Sequence, residues 1–153
     1  SNTDSEVFNI ASELMLAGAE LTKISENIYG SIEMNGLKMQ SLIIDRIELD
    51  KEVALVTSFV LQEDYKRFGV KESEVDFLID VIRLVKESNV ALLVKEQIDG
   101  TFKGSLRSRN DIDVQLVASE FGGGGHKAAS GFSSSESFEK IKLRVKKSIE
   151  SQF

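Results

Sequence analysis

Apolar residues recur along this chain in two rhythms, and the switch between them divides it. Val7, Ile10, Ala11 and Leu14 fall three and four apart, the spacing of one helical stripe. Thr3 and Glu6 offer a capping box before that stripe, and Gly18 closes it. Leu21, Ile24 and Ile28 predict a second helix over 22–29, and a third runs over 35–48. These helices read as a helical connector, residues 1–49, with Asp50-Lys51 as the turn out of it. From Val53 the pattern changes to a β-branched run, a strand over 53–60. A short helix over 63–68 ends at Gly69. Val75, Leu78, Ile79, Ile82 and Val85 then predict one amphipathic helix over 73–87 whose stripe packs into a core.

The most apolar run, 90–94, predicts a central strand that continues to Ile98. Asp99-Gly100 is a hairpin signal, and the return strand covers 101–108. Alternation on it sends Phe102, Gly104, Leu106 and Ser108 to the core and Thr101, Lys103, Ser105 and Arg107 to the other face, with Arg109 joining that row if the chain stays extended. Such a row is either a solvated strand face or half of a binding site. Asn110 or Asp111 caps the next helix, whose stripe is Val114, Val117, Ala118 and Phe121. A glycine turn, a short strand over 129–132 and a helix capped by Ser133 and Glu136 follow, the last with Phe138, Ile141, Val145 and Ile149 inward. The order predicts an α/β domain, a mixed β-sheet flanked by helices, after an N-terminal helical connector.

Composition narrows the chemistry. The 153 residues suit one domain with a smaller attachment, and the absence of Cys excludes disulfides and thiolate metal sites. No apolar run approaches a membrane span, and no basic, apolar leader opens the chain. Its start, Ser1-Asn2-Thr3 without Met, reads as the end of a piece of a longer protein. The net charge of −6 argues against a general nucleic-acid coat. Residues 95–131, however, balance five cations against five carboxylates, so the acidity lies in the remainder.

Within that balanced stretch stands Gly122-Gly123-Gly124-Gly125-His126, four glycines and the only histidine of the protein. Glycine lets the backbone come close to a ligand, and successive amides can converge on an anion. From the residues alone the run stays open between an anion grip, a linker, and a helix end with a tight turn. Arg107 is a bidentate partner for phosphate, His126 can donate to it, and Ser105 and Ser108 can add hydroxyl bonds. One histidine cannot build a multi-ligand metal centre, and no nucleophile elbow accompanies it, so catalysis within this chain is not expected.

Ser105-Leu106-Arg107-Ser108, Asp113-Val114, Ala118, Gly122 to Lys127 and Ala129-Ser130-Gly131, in this order, resemble the C-terminal DHH-associated domain of DHH phosphoesterases. The resemblance is to the nanoRNase branch, the oligoribonuclease and pAp-phosphatase enzymes; residues 10–48 resemble its interdomain segment. It implies a connector over 1–49 and a substrate-binding domain over 50–153. Arg107, Ser108, Gly123, Gly124, Gly125 and His126 would hold nucleotide phosphate and base, with Ser105, Arg109 and Lys127 as auxiliaries. The manganese ions and the catalytic aspartates would belong to an N-terminal DHH domain absent here, since the Asp-His-His tripeptide needs more than one histidine. Ser130 replaces a usual alanine. The implied partners are short RNA or pAp, the chain's own DHH domain, and a second copy through the N-terminal helices, in the cytoplasm and without a membrane. Alternatives are the corresponding domain of a cyclic-dinucleotide phosphodiesterase and a nucleic-acid-binding module like the C-terminal domain of alanyl-tRNA synthetase.

Overall fold

A computed structural model describes residues 3–109 and 111–153. It divides into two compact units, 1–33 and 34–153. The first holds α1 (Ser5–Leu16) and α2 (Leu21–Tyr29), neither with a buried residue. The cap of α1 is Asp4 rather than Thr3: its carboxylate accepts from the Val7 amide at 3.0 Å.

The second unit opens with α3 (Met34–Asp45), whose Met39 and Ile43 are fully buried. The helix expected to reach residue 48 stops early, because β1 (Glu48–Asp50) pairs antiparallel with β2 (Leu55–Val60). Then come α4 (Gln62–Phe68), α5 (Leu78–Ile82), β3 (Val90–Glu96), β4 (Phe102–Ser108), α6 (Val114–Ser119), β5 (Gly124–His126), β6 (Ala129–Ser134) and α7 (Phe138–Glu150). The six strands form one mixed sheet in the order β1-β2-β3-β4-β6-β5, parallel between β2 and β3 and antiparallel elsewhere. The α/β architecture expected from the sequence is therefore present.

Several local expectations change. The helix over 73–87 is instead a 3-10 turn, Glu72–Val75, followed by α5. Val75 and Leu78, then Ile79 and Ile82, are three apart, a spacing the tighter helix also keeps on one side, and all four are buried. The hairpin closes at Glu96 and Phe102, so Ile98 sits exposed at a longer tip where Asp99 accepts from the Thr101 amide at 3.0 Å. Asp113, not Asp111, caps α6, accepting from the Gln115 amide; Asn110 lies outside the described residues. Ser133 belongs to β6, and the residue that precedes α7, Ser137, makes no side-chain cap bond.

Two cores sandwich the sheet. On one face Leu55, Leu92, Val94, Leu106 and Phe132 meet Val114 and Val117 of α6 and Ile141, Val145 and Ile149 of α7. On the other, Val56, Val60, Ala91 and Leu93 meet Met39, Ile43, Leu78, Ile79 and Ile82. The second set of helices lies mainly over β2 and β3, with α5 also touching β4. Among the described residues neither β6 nor β5 contributes to that second core, and this asymmetry positions the site.

At the far edge, α7 is clamped to β1 by charge. Lys142 reaches Glu48 at 2.7 Å, and Lys146 reaches Asp50 at 2.7 Å and Glu52 at 2.5 Å. The bond from Lys146 holds the Asp50 carboxyl below its usual range, and Asp50, then Glu52, raise the Lys146 ammonium. A lowered carboxyl adds stability that is present above its unfolded value of 3.8 and is lost as pH falls through the folded one. A raised ammonium adds stability below 10.5 that is lost as pH rises through its folded value. Lys146→Met should therefore lower the urea midpoint at about pH 7, and its deficit against wild type should close at about pH 2. A deficit unchanged at the acid end would rule out this clamp.

Candidate functional site

The uncovered flank is built from strand register. Directly opposed residues of antiparallel strands project to the same face. Arg107 of β4 opposes Ala129 of β6, which opposes His126 of β5. Arg107 and His126 therefore share one row on one face, two strand spacings or roughly 10 Å apart, with a single methyl group between them. The next row is Ser105, Gly131 and Gly124, nearly without side chains. Beyond it come Lys103 and Ser133. An open hollow of about 480 Å³ lies beside these last rows, lined by Lys103, Ser105, Gly131 and Ser133 and also by Phe121, Gly123 and Phe132.

The glycines do not form one turn with converging amides. Gly122 takes φ +74° just after α6, but Gly124 and Gly125 extend as a strand against β6. The reason is packing. A Cβ on Gly123 would stand 2.3 Å from the Gly131 carbonyl oxygen, and one on Gly125 would stand 2.6 Å from that of Ala129. The run is glycine so that β5 can lie tightly on β6, and Gly125 also holds φ +144°. Lys127-Ala128 makes the two-residue turn between the strands. The sheet ends at β5, so alternate backbone groups of this strand face outward.

The other expected residues are distributed as follows. The half-buried Arg107 guanidinium donates to the Leu106 carbonyl at 3.0 Å, one bond from a fork of five donors. His126 is exposed. Ser108 lies on the opposite, core-side face, and its hydroxyl donates to the Lys127 carbonyl at 3.1 Å. Lys127 is exposed in the turn, 3.6 Å from Asp111. Arg109 stays in sheet-like pairing through its amide to the Asn89 carbonyl at 2.8 Å, and its guanidinium donates to the Arg83 carbonyl. The structure thus gathers Arg107, Ser105, Gly124 and His126 on one face and turns the Ser108 side chain away.

Arg83 is the residue that sequence reasoning missed. At the end of α5 it lines a small crevice with Arg107 and Arg109. It pairs with the Asp80 carboxylate at 3.0 Å, an exposed pair. Nothing in the sequence links position 83 to position 107; only the crossover from β2 to β3 brings them together.

A larger hollow, about 680 Å³, lies elsewhere, between β1 and α7. Lys142 and Lys146 in it are already held by Glu48, Asp50 and Glu52, and with Glu139 the carboxylates of its lining outnumber the lysines, Lys51 included, so it suits an anion poorly. Among the described residues no three His, Asp or Glu side chains converge so as to hold a metal ion. The described residues thus do not fit the manganese ions, which the resemblance places in the DHH domain. Among the described residues no helix is long and apolar enough to cross a membrane.

Fold and flank together define an α/β domain with an open, partly basic sheet face. The chain belongs to the DHHA1 domain family, which matches residues 52–151. It is 28% identical over 132 residues to a probable bifunctional oligoribonuclease and PAP phosphatase NrnA of Streptococcus mutans, covering 86% of this chain and 42% of that protein. It is 30% identical over 131 residues to the bifunctional oligoribonuclease and PAP phosphatase NrnA of Thermus thermophilus, covering 86% of this chain and 38% of that one. The chain thus spans about two fifths of the length of the curated relatives it matches. Among solved structures, an exopolyphosphatase-related protein from Bacteroides fragilis shares the fold, with TM-score 0.88 at 21% identity over 97% of this chain and 44% of that one.

Proposed function

We propose that this chain is the substrate-binding domain of a DHH phosphoesterase acting on short RNA oligonucleotides or 3′-phosphonucleotides. The observation that carries the reading is the row Arg107, Ala129, His126 on the uncovered sheet face, beside a side-chain-poor floor. Phosphate takes two parallel bonds from a guanidinium, and an exposed imidazole across the row adds a third donor. The outward amides of β5 supply neutral donors nearby. Family membership and the names of the two NrnA relatives support the same direction. In this reading Ser105, Arg109 and Lys127 assist, and Ser108 acts only by fixing the turn that carries Lys127. The manganese chemistry resides in the parent's own DHH domain, which this domain faces when substrate binds. The parent acts in the cytoplasm and pairs with a second copy through the N-terminal helices.

In the full-length parent, Arg107→Ala and His126→Ala should each lower kcat/KM for a dinucleotide, Arg107→Ala by about 10- to 100-fold, the loss of a charged hydrogen-bond pair. Wild-type kinetics in both variants would overturn the assignment.

A further inference from the structure

The hollow of about 680 Å³ between β1 and α7 lies toward the sheet edge opposite β5, apart from the Arg107 row. It exists because of how the two elements are joined. In the β1–β2 register Glu48 opposes Thr57 and Asp50 opposes Leu55, so all four project to the face that α7 packs on. Where β1 presents carboxylates, α7 answers with lysines, and their long side chains bridge a gap that apolar packing would have closed. Lys142 holds Glu48 at 2.7 Å and Glu139 at 3.0 Å, each by the Oε2 oxygen. Lys146 holds Asp50 and Glu52 in the same manner. Two lysines thus serve four carboxylates, and with Lys51 counted the lining still has four carboxylates against three lysines. The floor adds a second observation. Thr57 is 2% exposed and lines the hollow, yet its hydroxyl makes no hydrogen bond among the described residues. A polar group buried to that degree ordinarily has a partner. Leu55 beside it and the half-exposed Leu143 of α7 supply apolar surface.

We infer that this hollow binds a small organic cation, a primary alkylammonium, whose head lies between the Thr57 hydroxyl and the Glu48 carboxylate and whose apolar body covers Leu55 and Leu143. An ammonium carries three donors and no acceptor, which matches the Thr57 oxygen and the Glu48 oxygen that Lys142 leaves untouched. An anionic ligand of the same shape meets the surplus of carboxylates, and a neutral alcohol gains the Thr57 bond without the charge. The volume falls within the range of about 300–1,000 Å³ usual for small-molecule sites, where apolar lining gives affinity and a few polar groups set orientation. The site is independent of the Arg107 row and holds whatever that row binds.

The test titrates the 153-residue chain at neutral pH with n-hexylammonium, 1-hexanol and hexanoate, read by amide chemical shifts, which also report that each variant is folded. Hexylammonium should shift the amides of Glu48, Thr57 and Leu143 saturably. The alcohol should bind the same place about tenfold more weakly, for want of the charged hydrogen bond, and hexanoate should leave these amides unmoved. Thr57→Val keeps the shape and loses the hydroxyl, so it should weaken hexylammonium about fivefold, the loss of one neutral hydrogen bond. Leu143→Asn, at an exposed position of α7, should weaken it about fivefold through lost apolar contact. If one variant fails to fold, the other decides. Hexanoate binding as tightly as hexylammonium, hexylammonium shifts confined to other parts of the chain, or unchanged affinity in the folded variants would each overturn the site.

Discussion

Gly123→Ala is expected to destabilise the domain by about 2–3 kcal/mol, the cost of forcing a group into a closed contact, and to loosen β5 from the sheet. Its new methyl would stand 2.3 Å from the Gly131 carbonyl oxygen and 2.7 Å from the Phe132 Cα. Both are backbone atoms of a paired strand, so they cannot rotate aside as a side chain would. Phe132 is also stacked on Phe121, with ring centroids 4.1 Å apart, which limits retreat toward the core. The neighbouring position supplies the control. A Cβ on Gly124 meets nothing within 4 Å, and its φ is not left-handed. Gly124→Ala should therefore stay within about 0.5 kcal/mol of wild type. Urea unfolding of the two variants checks the contrast, and equal stabilities would show that close packing does not select glycine in this run.

Arg46→Ala should cost about 3 kcal/mol, the range for breaking a buried ion pair. The Asp64 side chain is 3% exposed, and Arg46 reaches it at 2.5 and 3.0 Å. The same guanidinium donates to the Phe59 carbonyl at 3.2 Å and lies 4.5 Å from the Phe59 ring centroid. Removing it strands a carboxylate in the interior, where a charge without a partner is most costly. The remaining bond, from the Leu61 amide at 2.7 Å, cannot neutralise it. Adding Asp64→Asn to the Arg46→Ala background should recover part of the loss, because the amide oxygen can still accept from Leu61 without carrying charge. Calorimetric unfolding of the single and double variants measures this, and a double variant no more stable than Arg46→Ala would refute the stranded-charge account.

What the sequence made legible were the elements whose own residues specify them. The apolar run of β3, the alternation on β4 and the stripe of α7 each carry enough side-chain information to place a face. Alternation on β4 was sufficient to set Lys103, Ser105 and Arg107 on the side opposite Leu106, as the burial of Leu106 and Gly104 shows. Elements made by their partners were not legible. Glu48–Asp50 has no strand pattern of its own and becomes β1 by pairing with β2. Gly124–His126 has poor strand propensity and becomes β5 because β6 leaves no room for a Cβ at Gly123 or Gly125. The hydrophobic stripe over 75–85 fixed which residues are buried but not how tightly the helix winds, since both helical forms keep residues three apart on one side. For the site, Arg107 and His126 were named from their chemistry, but their common row depends on Ala129, which carries no chemical signal. The placing of Arg83 beside Arg107 is a product of topology alone.

The glycine strand is the edge of the sheet, paired with β6 on one side and packed against α6. Detaching it breaks a three-residue ladder and its contacts with α6 but not the central strands, so this margin opens at lower free energy than global unfolding. The part of the molecule proposed to meet nucleotide is therefore one that can open while the central sheet stays folded. A ligand bridging from Arg107 to that strand would act as a splint, repaying with contacts the order it imposes, and the closed margin would persist only while the ligand is present.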